Sequence, residues 1–148
     1  MTRPEPLDDP LITTFGRLVE ATHGLERRFG AEVAESVDIP FTWFEVLLRL
    51  SRSDASRLSM GELSRQLALT SGGVTRVIDR MTDAGLVDRL AGTDDRRVQY
   101  AVVTRRGQAL MRRAVVQHVA SLHDVFAGFS LTELRTLDSL LDRLRELE

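Results

Sequence analysis

The chain contains neither cysteine nor lysine. Without cysteine there are no disulfides, no thiol catalysis and no cysteine-based redox sensing. All 20 basic residues are arginine, whose planar fork suits phosphates and guanine edges. A GC-rich coding sequence produces the same bias, so arginine usage alone assigns nothing. No apolar run approaches the roughly 18 residues needed to span a bilayer. The opening MTRPEPLDDP has no apolar secretory core and reads as an exposed, proline-interrupted tail over residues 1–10; the expected compartment is the cytoplasm. Only three histidines occur, His23, His118 and His123. The last two are five positions apart, off any shared helical face, so no metal site is expected. No Ser-His-Asp arrangement is legible, and Gly72-Gly73 before a valine is not a Walker loop. An enzyme is not expected, nor a cofactor.

What is present looks globular. The 148 residues are 43% hydrophobic and 28% charged, about one domain by length. Net charge is −2, but residues 59–107 hold eight arginines against six carboxylates. A locally basic segment on an acidic frame is compatible with nucleic-acid binding, because the local field outweighs the total.

Helical periodicity dominates. Leu11, Phe15, Leu18, Val19, Thr22, Leu25, Arg28 and Phe29 recur at spacings of three and four, predicting a long amphipathic helix from Leu11 to about Glu35. Ile39-Pro40 breaks it. Three S/T-x-x-E boxes, Thr42–Glu45, Ser59–Glu62 and Ser130–Glu133, predict three further helix starts. Thr70 is expected to cap another helix, with Val74, Val77, Ile78 and Met81 on its buried face and Gly85 past its end. Two extended stretches follow, Leu86–Leu90 and Val98–Thr104, the second alternating with the period of a strand. They predict a hairpin with Asp95, Arg96 and Arg97 near its tip. Two long helices, about 105–127 and 131–147, complete the chain.

The short helix after Ser59 and the Thr70 helix form a helix-turn-helix, and the hairpin makes it winged. The fold class is therefore mainly α with a small β-hairpin wing: a winged lobe over 42–104, flanked by long helices over 11–36 and 105–148, all one domain. Gly72 and Gly73 sit in the first turn of the expected recognition helix, where each costs about 1 kcal/mol against alanine. One explanation is close backbone approach to DNA; the other is easier packing against the neighbouring helix. Thr75 and Arg76 are the first side chains able to reach base edges. Asp79 is expected to hold the Arg76 guanidinium.

The run DIPFTWFEVLLRL…LSMGELSRQLALTSGGVTRVIDRMTDAGLVDRL…TDDRRVQYAVVTRRGQAL resembles the multiple-antibiotic-resistance regulator (MarR) family of winged helix-turn-helix repressors over nearly the whole chain. The resemblance implies that Ser71, Gly72, Thr75 and Arg76 face the major groove and that Arg97 enters the minor groove. It implies that Asp95 braces the wing and that Ser64 and Arg65 lie near phosphates. Thr70, Arg80 and Arg96 complete the expected DNA-binding set. It further implies a homodimer on double-stranded DNA, built from the N-terminal helix and the last two helices, and release by a small, often phenolic ligand. The family's hydroperoxide sensors need a reactive cysteine that this chain lacks.

The residues support a dimer independently. The first helix is too long for the winged lobe to cover, and the last shows Leu131, Leu134, Leu137, Leu140, Leu141, Leu144 and Leu147. Such a stripe suits a partner chain; an intramolecular three-helix cluster is the alternative. Trp43 and Phe44 are either core or the lining of a ligand cleft with His23 and Arg27. The expected function is a sequence-specific DNA-binding regulator, a dimeric repressor on a pseudo-palindromic operator. A helical protein-interaction module, or a small-molecule binder with no DNA role, would instead lack salt-sensitive DNA binding and leave Arg76 and Arg97 silent.

Overall fold

A computed structural model describes residues 6–146; residues 1–5 of the expected tail and Leu147 lie outside them. The first helix starts within the expected tail. Pro6–Asp8 forms a 3-10 turn, Asp9 caps through its carboxylate on the Leu11 N–H, and α1 runs Pro10–Val37. Proline at the first helical position loses no hydrogen bond and brings a suitable φ, so the helix begins one residue earlier than its apolar pattern. Asp38 ends it in the left-handed region, φ 53°.

α2 spans Phe41–Arg52. The predicted Thr42–Glu45 box is absent. Pro40 occupies the cap position without a side-chain bond, and its carbonyl accepts from the Trp43 and Phe44 N–H groups at 2.9 and 3.3 Å. Thr42 is thus already inside the helix, and Glu45 pairs with Arg49 at 3.4 Å. Burial pushes the Glu45 carboxyl up, partly opposed by Arg49. The other two boxes form. Ser59 and Glu62 open α3 (Met60–Gln66), and Ser130 and Glu133 open α6 (Leu131–Arg145). Hydrogen bonds from Ser59 and Ser130 hold Glu62 and Glu133 below the usual carboxylate range.

α4 spans Ser71–Asp83 with Thr70 as its cap; Gly85 follows at φ 71°. The wing strands are β2 (Val87–Ala91) and β3 (Gln99–Val103), antiparallel with Arg89 opposite Ala101. A strand not foreseen, β1 (Arg57–Ser59), pairs with the other edge of β3, Leu58 opposite Ala101, giving the order β1-β3-β2. Three residues, the last also capping α3, are too few to show alternation. β1 nonetheless makes β3 a central strand and ties the wing to the body of the lobe.

The core lies inside the lobe. Phe44, Val46, Leu47 and Leu50 of α2 meet Leu63 of α3, Val74, Ile78 and Met81 of α4, and Val87 and Ala101 of the sheet, each at most 1% exposed. α5 (Arg105–Phe126) enters this core at Gly107, where an added Cβ would collide with the Leu86 carbonyl and press on Val103 and Leu47. Thr104 fixes the junction. Its hydroxyl donates to the Gly85 carbonyl at 2.8 Å and accepts from the Gly107 N–H at 3.0 Å.

Candidate nucleic-acid interface

The turn between α3 and α4 sets the angle of the recognition helix. Ala68 adopts φ 51°, a left-handed conformation that costs a non-glycine residue roughly 1–2 kcal/mol. Ser64 holds it there: its hydroxyl donates to the Leu69 carbonyl at 2.5 Å, and the Leu69 N–H returns to the Ser64 carbonyl at 3.0 Å. Ser64, expected near a phosphate, is therefore half-buried with its proton committed to the turn. Arg65 next to it is exposed.

α4 separates into two faces. Val74, Ile78 and Met81 are buried, with Val77 half-buried beside them, while Gly72, Thr75, Arg76, Asp79 and Arg80 are exposed. The two glycines have different reasons. A Cβ on Gly72 would meet nothing within 4 Å, whereas one on Gly73 would lie 3.2 Å from the Thr70 hydroxyl that caps its own N–H. Packing thus accounts for Gly73 and leaves Gly72 unexplained within the chain. Ser71 and Thr70 are exposed at the helix start. The Thr75 hydroxyl donates to the Ser71 carbonyl at 2.9 Å, so outwardly it offers acceptor lone pairs and a methyl group. Among the described residues Arg76 and Arg80 make no ion pair.

Asp79 does not hold Arg76. It accepts from Nη2 of Arg89 at 2.6 Å, and the same nitrogen lies 3.4 Å from the Thr75 carbonyl. Sequence reasoning missed Arg89. Its position on a strand gave no sign that it would reach back to the helix; only the pairing of β2 with β3 brings it there.

At the wing tip the Gly92 N–H donates to the Val98 carbonyl at 2.8 Å, and the Val98 N–H to the Asp95 carbonyl at 3.0 Å. Asp95 accepts three bonds from Arg97: backbone N–H at 2.9 Å, Nε at 3.2 Å and Nη2 at 3.3 Å. They hold the Asp95 carboxyl below its ordinary range and leave the Arg97 side chain 92% exposed. Arg96 is exposed beside it. The wing thus presents an arginine that is oriented yet open to solvent.

The four residues expected around a ligand lie on two helices, His23 and Arg27 on α1 and Trp43 and Phe44 on α2. Phe44 is 1% exposed, stacked on Phe41 and edge-on to His118 at 4.8 Å; its position at the buried face of α2 makes it core. Trp43 is half-buried against that core, and His23 and Arg27 are exposed on α1. No group of three or more metal-binding side chains occurs among the described residues, and no described helix is long and apolar enough to cross a membrane.

This geometry agrees with three comparisons. A sequence model described as MarR family matches residues 37–98, from the end of α1 to the wing tip. The transcriptional repressor MprA of Escherichia coli is 27% identical over 111 residues, 72% of this chain and 63% of that protein. Among solved structures, AbsC, a MarR family transcriptional regulator from Streptomyces coelicolor, superposes with a TM-score of 0.82 at 27% identity, covering 98% of this chain and 97% of AbsC. A mutant of E. coli MarR, complexed with operator DNA, gives a TM-score of 0.68 at 26% identity, covering 90% and 94% of the two chains. The chain belongs to the MarR family of winged helix-turn-helix, DNA-binding transcriptional regulators, a non-enzymatic family.

Proposed function

We propose that the protein is a homodimeric repressor that binds a pseudo-palindromic operator, with α4 in the major groove and Arg97 in the adjacent minor groove. One observation carries this reading: Gly72, Thr75, Arg76 and Arg80 share an exposed face of α4, beside a wing whose tip arginine is oriented by Asp95. Gly72, with no packing role, lets the backbone approach phosphate, and the free N–H groups of the first turn favour an anion.

Dimerisation is supported by apolar surface left over. None of the described residues of α6 is buried, and Leu137, Leu140, Leu141 and Leu144 are 37–52% exposed. Leu11 and Phe15 of α1 are exposed too. A two-fold partner would cover both stripes and place the recognition helices about one helical turn, 10–10.5 bp, apart. If about 6–10 phosphates are neutralised, affinity should fall about 10³–10⁵-fold between 50 and 200 mM salt; a flat response would exclude arginine–phosphate contact.

Base reading is tested by separating the two arginines. Arg76→Ala should cost about 1–3 kcal/mol and relax preference at one position per half-site. Arg97→Ala should weaken many sites together, since the minor groove is read largely through its width and A·T content. Single-base operator substitutions distinguish them, and the reverse pattern would overturn the assignment. Release by a small aromatic acid near His23, Arg27 and Trp43 is the remaining part of the proposal, with Phe44 left in the core. An aromatic-acid panel that shifts neither Trp43 fluorescence nor DNA affinity would remove it.

A further inference from the structure

Resting on that reading of Arg76, we propose that Arg89 is a positioning residue: it sequesters Asp79, so that Arg76 stays available to a base. Asp79 lies three residues after Arg76 on the same exposed face, the separation at which an acid and an arginine pair on a helix surface. Its side chain is 57% exposed, so nothing else prevents that pairing. Arg89 takes the carboxylate from another element. Its Nη2 is 2.6 Å from Asp79 Oδ1 and 3.4 Å from the Thr75 carbonyl, one turn earlier on the helix.

Anchorage decides the competition. Arg89 stands on β2 opposite Ala101, which is fully buried in the central strand. Its side chain is only 32% exposed and its Nε is enclosed. Much of the ordering entropy of this arginine is therefore lost on folding, whereas Arg76 would have to give up its freedom to take Asp79. The pairing also compensates a negative charge on the face that meets phosphates. Arg89 then acts on the bases through Asp79 and Arg76, touching none itself.

The experiment measures affinity and base preference of the dimer on a panel of single-base operator variants, with thermal melts to confirm folding. Arg89→Met keeps the apolar stem and removes the guanidinium. It should flatten preference at the base pair read by Arg76, by about 5- to 150-fold, the discrimination one bidentate arginine supplies. Asp79→Asn alone should retain that preference. The double variant Arg89→Met/Asp79→Asn should regain it, because no carboxylate is left to capture Arg76. Arg89→Lys, which keeps a cation on the strand, should retain it as well.

A purely structural brace gives the opposite double variant, no better than Arg89→Met, and that result overturns the proposal. So does an unchanged preference in folded Arg89→Met, or a lost one in folded Arg89→Lys. Arg76→Ala is the separate control. If it leaves preference intact, base reading by Arg76 fails and this proposal falls with it; if it relaxes preference while the double variant shows no rescue, only the role of Arg89 fails.

Discussion

The winged lobe and the helical frame contain similar apolar side chains but use them differently. In the lobe, Leu47, Leu50, Leu63, Ile78 and Met81 are completely buried by neighbours within the chain. In the frame, α6 buries no described residue, and α1, 28 residues and about 42 Å long, buries only Phe29 and Val33. A lobe complete within one chain needs only its own core to hold α4 and the wing in register. A frame with apolar stripes on two helices suits the partner chain proposed above. On the proposed dimer, reading DNA and spacing two readers fall to different parts of the molecule, and the two should fail separately.

The largest effect should come from the frame. Leu137→Glu with Leu141→Glu places charges in the α6 stripe and should yield a monomer by sedimentation. Operator affinity should drop by the lost avidity, about 10²–10⁴-fold, while the circular dichroism spectrum stays helical. A variant that remains dimeric with full affinity would show that these leucines have no partner. The lobe should respond the other way. Leu47→Ala, fully buried, should cost about 2–5 kcal/mol in denaturant unfolding, with no change in dimer affinity while folded.

Gly107→Ala probes the joint between the parts. An added methyl meets the Leu86 carbonyl, a backbone atom that cannot rotate away, so overpacking of about 1–3 kcal/mol is expected. Gly72→Ala should behave oppositely. Its Cβ enters open space, and alanine should stabilise the helix by about 0.5–1 kcal/mol. DNA affinity should nonetheless fall, since the methyl stands where backbone approaches phosphate. Unchanged affinity would return Gly72 to an accident of sequence.

Much of this division was legible beforehand. The apolar period of α4, the Ser59 and Ser130 boxes and the alternating strand after the wing tip are local signals, readable because each depends on neighbours within a few residues. The misreadings concern features decided elsewhere in the chain. Thr42 fits the capping pattern, yet Pro40 starts the helix first. β1 exists only because β3 offers an edge. The partner of Asp79 is 10 residues away across a strand, although Arg76 is nearer in sequence. The turn that takes up the Ser64 hydroxyl is likewise invisible until Ala68 is seen at positive φ. Among the residues proposed to face DNA, the outward face of α4 and the wing tip follow from local pattern, whereas the ion pair joining helix to strand does not.

The smallest expected effect lies where frame meets lobe. His118 of α5 sits edge-on to Phe29 of α1 and Phe44 of α2, each at 4.8 Å, and its Nδ1 is enclosed without a partner in the protein. Glu32 of α1 is the charged group facing it; Ser121 and Arg28 hold that carboxyl below its ordinary range. Burial pushes the His118 imidazole below its ordinary 6.5, and Glu32 only partly opposes this. Below that value the unfolded chain binds the proton more readily than the folded one, so this contribution to stability is present above about pH 6.5 and fades as pH falls through the lower folded value. Glu32 titrates in a lower window and does not mimic it. Melting temperature should therefore decline on acidification from about pH 7.5 to 5.5, and the decline should be shallower in His118→Leu, which cannot take the proton. Equal declines in the two proteins would show that protonation of His118 costs the fold nothing, and that α1 and α2 do not enclose it as tightly as their aromatic contacts imply.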